Sequence, residues 1–227
     1  MNQDLTRGPV MGSMLRFALP MILGNLLQQC YNIADTLIVG RYLGQGALAA
    51  VGSSFTLMTF LTSILLGLCM GSGAVFSIRF GQRDQNALGE SVSASFVLIG
   101  VLTVALNLLA FALLDWVRVF LRVPGEVWPL MREYLAVIFL GIAATFLYNY
   151  FASFLRSVGN SVIPLLFLGL SAGLNIALDL WFVLGLRRGV AVAAEATVIA
   201  QYVSGVVIAL YALFRAPQLR TLRGTLR

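Results

Sequence analysis

Apolar residues run along this chain in long unbroken stretches and do not alternate with polar ones. Segments 17–34, 42–78, 91–114, 134–155, 157–178 and 196–214 hold no Asp, Glu, Lys or Arg. At about 1.5 Å of rise per residue, each covers most or all of a hydrocarbon layer about 30 Å thick. Lipid offers no partner to bare backbone groups, so continuous apolar runs predict helices, whereas a membrane barrel needs alternation. The expectation is an all-α integral membrane protein, a bundle of six transmembrane helices near 14–39, 47–78, 88–114, 130–155, 162–184 and 190–214. Residues 1–13 would form a cytoplasmic amino terminus, and 215–227 a basic cytoplasmic tail or the start of an inter-lobe loop. Gly40, Gly81, Gly159 and Gly185 fall at or just past the expected helix ends, where a left-handed cap residue is common. The first stretch is too long, and with Asn25, Gln28 and Gln29 too polar, for a cleaved signal peptide.

Composition sharpens this picture. With 59% hydrophobic and 11% charged residues and a mean hydropathy of +0.92, the chain has too few charges to build a water-facing surface. The basic residues are all Arg and there is no His, so proton chemistry would fall to carboxylates. The net charge of +6 comes from Arg scattered between apolar runs, with no basic face of the kind nucleic acids require. Cys30 and Cys69 sit inside apolar runs and read as packed thiols; no metal-ligand spacing is present. Arg7, Arg16, Arg79, Arg83, Arg156 and the Arg residues of the tail fall on the side of the amino terminus, and they outnumber those of the opposite loops. That bias places both termini in the cytoplasm.

Three carboxylates lie inside or at the edge of the apolar runs: Asp35, Asp179 and Glu195. A charge in lipid is expensive and marks function by default. Gln28, Tyr31, Asn32 and Asp35 share one face of helix one through their i, i+3, i+4, i+7 spacing. Asn175 and Asp179 share a face of helix five, and Thr197, Gln201 and Ser204 one of helix six. Asp35, Asp179 and Thr197 all fall in the same half of the membrane, although their helices run in different directions. The pattern predicts a shared polar cavity, while polar residues also serve simply to bind membrane helices together. Glu195 stands about 200° around the helix from Thr197 and so belongs to another face. Pro20 removes one backbone hydrogen bond from helix one and is the candidate hinge. Phe146, Tyr148, Tyr150 and Phe151 could line a pocket or fill the core.

The segment running from Ala18 through Pro20, Asn25, Gln28, Tyr31 and Asp35 to Gly44 resembles the first helix of the multidrug and toxic compound extrusion (MATE) family. It is nearest to the bacterial branch of DNA-damage-inducible efflux proteins. Further matches are Ala49 to Gly52, Arg79-Phe80-Gly81, Arg156 to Asn160, Asn175 to Asp179, and Gly189 to Gln201. The resemblance implies a twelve-helix fold in two six-helix lobes, with an organic-cation (drug) cleft between them and exchange against protons or sodium ions. This chain would be the amino-terminal lobe, multi-pass in the bacterial inner membrane, its partner lobe being a carboxy-terminal half or a second copy. The family's cation site maps onto Asp35, Asn175, Asp179 and Thr197; the stripe residues Gln28, Tyr31, Asn32, Gln201 and Ser204 would line the cavity beside it. No cofactor beyond the coupling proton or Na+ and no enzymatic activity are implied. Glu195 and Val192 depart from the pattern, and family members run to about twice this length. Three other readings stand beside it: a lipid-linked or polysaccharide flippase of the same superfamily, an inactive fragment, and an intramembrane aspartyl protease built on the two Asp residues.

Overall fold

The computed structural model describes residues 10–186 and 189–215, and every regular element among them is helical. The elements are α1 (Val10–Tyr42), α2 (Gly44–Gly81), α3 (Gln85–Ala112), α4 (Leu114–Phe120), α5 (Trp128–Ile138), α6 (Ile142–Ser157), α7 (Val162–Leu180) and α8 (Ala191–Arg215). A 3₁₀ turn, Phe139–Gly141, joins α5 to α6, and a π-helical segment, Trp181–Leu186, extends α7. Five spans are long and apolar enough to cross a membrane: Gly44–Gly81, Gln85–Ala112, Trp128–Ser157, Val162–Val183 and Ala191–Arg215. The remaining long helix, α1, has 33 residues. Its polar residues, Asn25, Gln28, Gln29, Asn32 and Asp35, dilute its hydropathy. The chain is therefore a multi-pass membrane bundle of six long helical passes, as the apolar runs predict.

Most boundaries shift by a few residues from the sequence expectation, and four of the shifts matter. Helix one is already helical at Val10, so residues 10–13 belong to the bundle, while 1–9 lie outside the described residues. Gly40 is internal to α1, and the left-handed turn falls at Gly44, with φ of +87°. Gly159, with φ of +83°, does take the expected left-handed place after α6. Helix three stops at Ala112 and gives way to the short α4. Arg215 closes the last turn of α8, so of the expected tail only 216–227 remains, outside the described residues.

The fourth span differs most, because it is not one helix. At the 3₁₀ turn the ladder tightens, and its carbonyls take side-chain donors from other helices. Asn107 Nδ2 on α3 donates to the Phe139 carbonyl at 3.1 Å, and the Tyr202 hydroxyl on α8 donates to the Leu140 carbonyl at 2.9 Å. Such insertions of foreign groups into a ladder are a recognised cause of helix bends.

Helix α6 lies between α2 and α8, while α7 packs on α8 and α1 on α7. Small residues set the close approaches. A Cβ on Gly205 would stand 2.8 Å from the Ala144 carbonyl oxygen, so only Gly lets α8 reach α6 there. A Cβ on Gly73 would overlap the Ser153 hydroxyl, which donates across to the Cys69 carbonyl at 2.7 Å. Phe76, Phe96, Phe146, Tyr150, Phe151 and Phe154 pack edge-to-face or tilted around α6, and Tyr150 donates to the Val92 carbonyl at 2.6 Å. Phe146, Tyr150 and Phe151 are thus core residues. The outer face of α3, with Val97, Leu98, Val101, Val104 and Leu108 exposed, is a surface for lipid.

Candidate functional site

Asp35 lies two turns from the end of α1, Asp179 is the penultimate residue of α7, and Thr197 lies near the start of α8. These three helix ends meet at one end of the bundle, which explains why the residues share a depth. The Asp35 and Asp179 carboxyls come within hydrogen-bonding reach of one another. Asp179 is fully buried and Asn175 is 2% exposed. Asn175 Nδ2 donates to Thr197 Oγ1 at 3.1 Å, and Thr197 Oγ1 donates to the Ala193 carbonyl at 3.1 Å. The Tyr31 hydroxyl sits beside Thr197 and near both carboxyls.

The cluster holds an excess of acceptors. Asp35 Oδ1, both Asp179 oxygens and Asn175 Oδ1 are buried without a hydrogen-bond partner. Buried polar atoms are nearly always satisfied, and two facing carboxylates repel. A proton shared between them, or a hard cation, would relieve both problems, and a cation would find oxygen donors in the two carboxylates, the amide and the hydroxyl.

Below this cluster lies a cavity of ≈ 100 Å³, room for several waters. Asn175, Thr197, Gln28, Tyr31, Gln201 and Ser204 line it, so four of the five expected lining residues do so. Asn32 does not: its amide donates to Gln29 at 3.3 Å on the exposed side. Gln201 and Ser204 also bind helices together. Thr145 Oγ1 donates to Gln201 Oε1 at 3.3 Å, and Ser204 Oγ to the Phe167 carbonyl at 3.1 Å. A second cavity of ≈ 270 Å³ shares Gln28, Tyr148, Asn149 and Leu168 with the first and continues down α1 to Pro20 and Arg156. Tyr148 therefore borders both cavities. Helix α1 runs unbroken through Pro20.

Glu195 is half-buried and joins neither the carboxyl pair nor the cavity walls. Tyr134, by contrast, was not indicated by the residue pattern, yet its hydroxyl lies in the electrostatic neighbourhood of Asp35, Tyr31 and Asp179. Its signal was its position near the start of the fourth span, at the same depth as the carboxyls. Thr145 and Asn149 were missed as well, and they line the first cavity from α6.

Residues 20–181 match the family described as MatE. The chain is 32% identical over 211 residues to the probable multidrug resistance protein YpnP of Bacillus subtilis (strain 168), covering 93% of this chain and 46% of that protein. It is 29% identical to the multidrug export protein MepA of Staphylococcus aureus (strain MRSA252), covering 90% of this chain and 46% of that one. A solved structure of a multidrug resistance MATE family transporter of the MOP superfamily, in an outward-facing conformation, superposes with a TM-score of 0.86 at 31% identity. It covers 93% of this chain and 47% of the solved one. The chain spans about half the length of the relatives it matches.

Proposed function

This chain belongs to the MatE family, whose members are transporters and not enzymes, and from that premise we propose that it is the amino-terminal lobe of a cation-coupled antiporter that exports organic cations. The observation that carries this reading is the Asp35–Asp179 pair, buried together with unpartnered oxygens beside a cavity inside the bundle. In this reading Asp35, Asn175, Asp179 and Thr197 hold the coupling proton or Na+, and Tyr31 and Tyr134 complete the shell. Binding of the ion removes the repulsion between the carboxylates and lets α1 repack against α7, with Pro20 as the hinge. An organic cation competes for the same negative charge, so ion entry favours its release.

A second lobe would complete the substrate cleft. Thr56, Thr59 and Ser63 form an exposed stripe on α2, and Asn25, Gln28 and Gln29 are exposed on α1. Polar residues facing outward on membrane helices fit a water-filled cleft better than lipid. The proposed setting is the bacterial inner membrane with both termini cytoplasmic. A flippase of the same superfamily is less well supported, because among the described residues Arg156 is the only Arg on the walls of either cavity.

The test is equilibrium binding of ²²Na⁺, and proton release measured alongside, on the purified chain. Asp35→Asn should abolish both signals and Glu195→Gln should leave them intact. Normal ion binding by Asp35→Asn would remove Asp35 from the mechanism and reduce the polar stripe to helix-packing contacts.

A further inference from the structure

Arg156, the next-to-last residue of the fourth span, meets no acid among the described residues. It lies in the last turn of α6, half-buried, and lines the ≈ 270 Å³ cavity. It forms neither an ion pair nor a side-chain hydrogen bond among the described residues. Unpaired charges at such sites are costly, and Arg in particular matches oxyanions through its forked donors.

The same cavity carries a second, independent anion feature. Ser161 is the N-cap of the 19-residue α7, yet its side chain makes no capping bond, and Ser161 and Pro164 both line the cavity. Pro164 has no N–H and does not line the space as a donor, so what the first turn of α7 brings to the cavity is the positive end of its dipole beside the uncommitted Ser161 hydroxyl. Here that end and the Arg156 guanidinium face one space. Asn160 Oδ1 accepts the Ile163 N–H at 3.2 Å, so that donor is taken while the Ser161 hydroxyl is not.

Asn25, Gln28, Tyr148 and Asn149 make the cavity polar toward the carboxyl pair, and the wall around Arg156 and Ser161 is apolar. Pro20, Met21, Leu66, Met70, Leu165 and Leu168 line it, and Met21, Leu66 and Met70 are exposed at its margin. A soluble oxyanion has no use for such a wall, whereas an oxyanion carried on hydrocarbon does. We propose that this cavity is a binding site for an anionic phospholipid, its phosphate held by Arg156, the Ser161 hydroxyl and the start of α7. The upper part of one chain would then run along α1 past Pro20 and Met21. The site is distinct from the carboxyl pair at the other end of the bundle, and the proposal stands without the transport reading. If α1 does bend at Pro20, the lipid would sit against the bend.

The experiment measures thermal unfolding and retained lipid, by native mass spectrometry, for the purified chain in detergent. The probes are dioleoyl-phosphatidylglycerol, dioleoylglycerol with the same tails and no phosphate, and inorganic phosphate. Phosphatidylglycerol should be retained and should raise the melting temperature at concentrations where the other two do nothing. Arg156→Gln should weaken phosphatidylglycerol retention at least tenfold. Ser161→Ala, which removes no capping bond and so leaves the fold alone, should weaken it several-fold. Equal stabilisation by dioleoylglycerol, or by inorganic phosphate, would overturn the proposal. So would undiminished phosphatidylglycerol retention in Ser161→Ala and a folded Arg156→Gln.

Discussion

Replacing Asp179 by Asn should make the protein more stable while destroying its response to ions. Asp179 is fully buried, neither of its oxygens has a partner, and the Asp35 carboxyl faces it. Two unit charges about 4 Å apart repel by roughly 4 kcal/mol at an effective dielectric of about 20. The amide has nearly the same shape, removes that repulsion and offers Asp35 an N–H donor. A hydrogen bond to a charged acceptor contributes about 1.5–3 kcal/mol, and a buried amide loses far less hydration than a buried carboxylate. At a pH high enough to ionise both carboxyls of the parent, and without sodium, the variant should gain about 2 kcal/mol. For a chain of this size that is a rise of about 4–8 °C in melting temperature. The parent should gain about 2.7 kcal/mol when sodium reaches about a hundred times its Kd, because only the folded state binds it. The variant should gain nothing. The assay is Trp fluorescence melting in detergent, with sodium chloride exchanged for potassium chloride at constant ionic strength. A variant less stable than the parent without sodium, or one with the parent's sodium response, would refute the reasoning. The prediction places Asp179 among the residues kept for function at the expense of stability.

Gly205→Ala should destabilise by about 1–3 kcal/mol, because its Cβ would stand 2.8 Å from the Ala144 carbonyl oxygen, a backbone atom that cannot swing aside; an unchanged melt would mean that α6 and α8 can separate freely. Tyr202→Phe should cost about 1 kcal/mol by removing the donor to Leu140, again read by melting. Expression of these 227 residues alone should give membrane insertion without dye efflux, since the cleft would lack its second wall. Efflux from such cells would instead mean that two copies pair into a transporter.

The bundle was legible because lipid leaves so few ways to be wrong: a run without charges long enough to span is a helix. Asp35, Asn175, Asp179 and Thr197 stood out for the same reason, since each is conspicuous in such surroundings. The stripe on α1 was read one residue too wide. At 100° per residue, Asn32 lies about 40° from Gln28 on the side of Gln29, while Tyr31 and Asp35 lie on the other side, toward α7 and α8. A four-residue spacing alone does not resolve that difference. The break in the fourth span was invisible, because Phe139-Leu140-Gly141 is as apolar as its neighbours. Its cause lies elsewhere in the chain, in Asn107 and Tyr202. Asn107, the only amide in the apolar core of α3, was the one available clue. Tyr134 was passed over because a phenol in a membrane helix is ordinary until a carboxylate is found beside it.

A carbonyl that turns away from the helix ladder in hydrocarbon needs a donor from elsewhere in the chain. The carbonyls of Phe139 and Leu140 take theirs from α3, made earlier, and from α8, made last among the described helices. While the chain is still being synthesised, residues 128–157 satisfy their backbone best as one straight rod. The 3₁₀ turn at 139–141 gains its second side-chain donor only once α8 has docked. The span that carries Tyr134 is therefore completed late in biogenesis, and a nascent chain halted before α8 would lack both the Tyr202 donor and the Thr197 partner of Asn175.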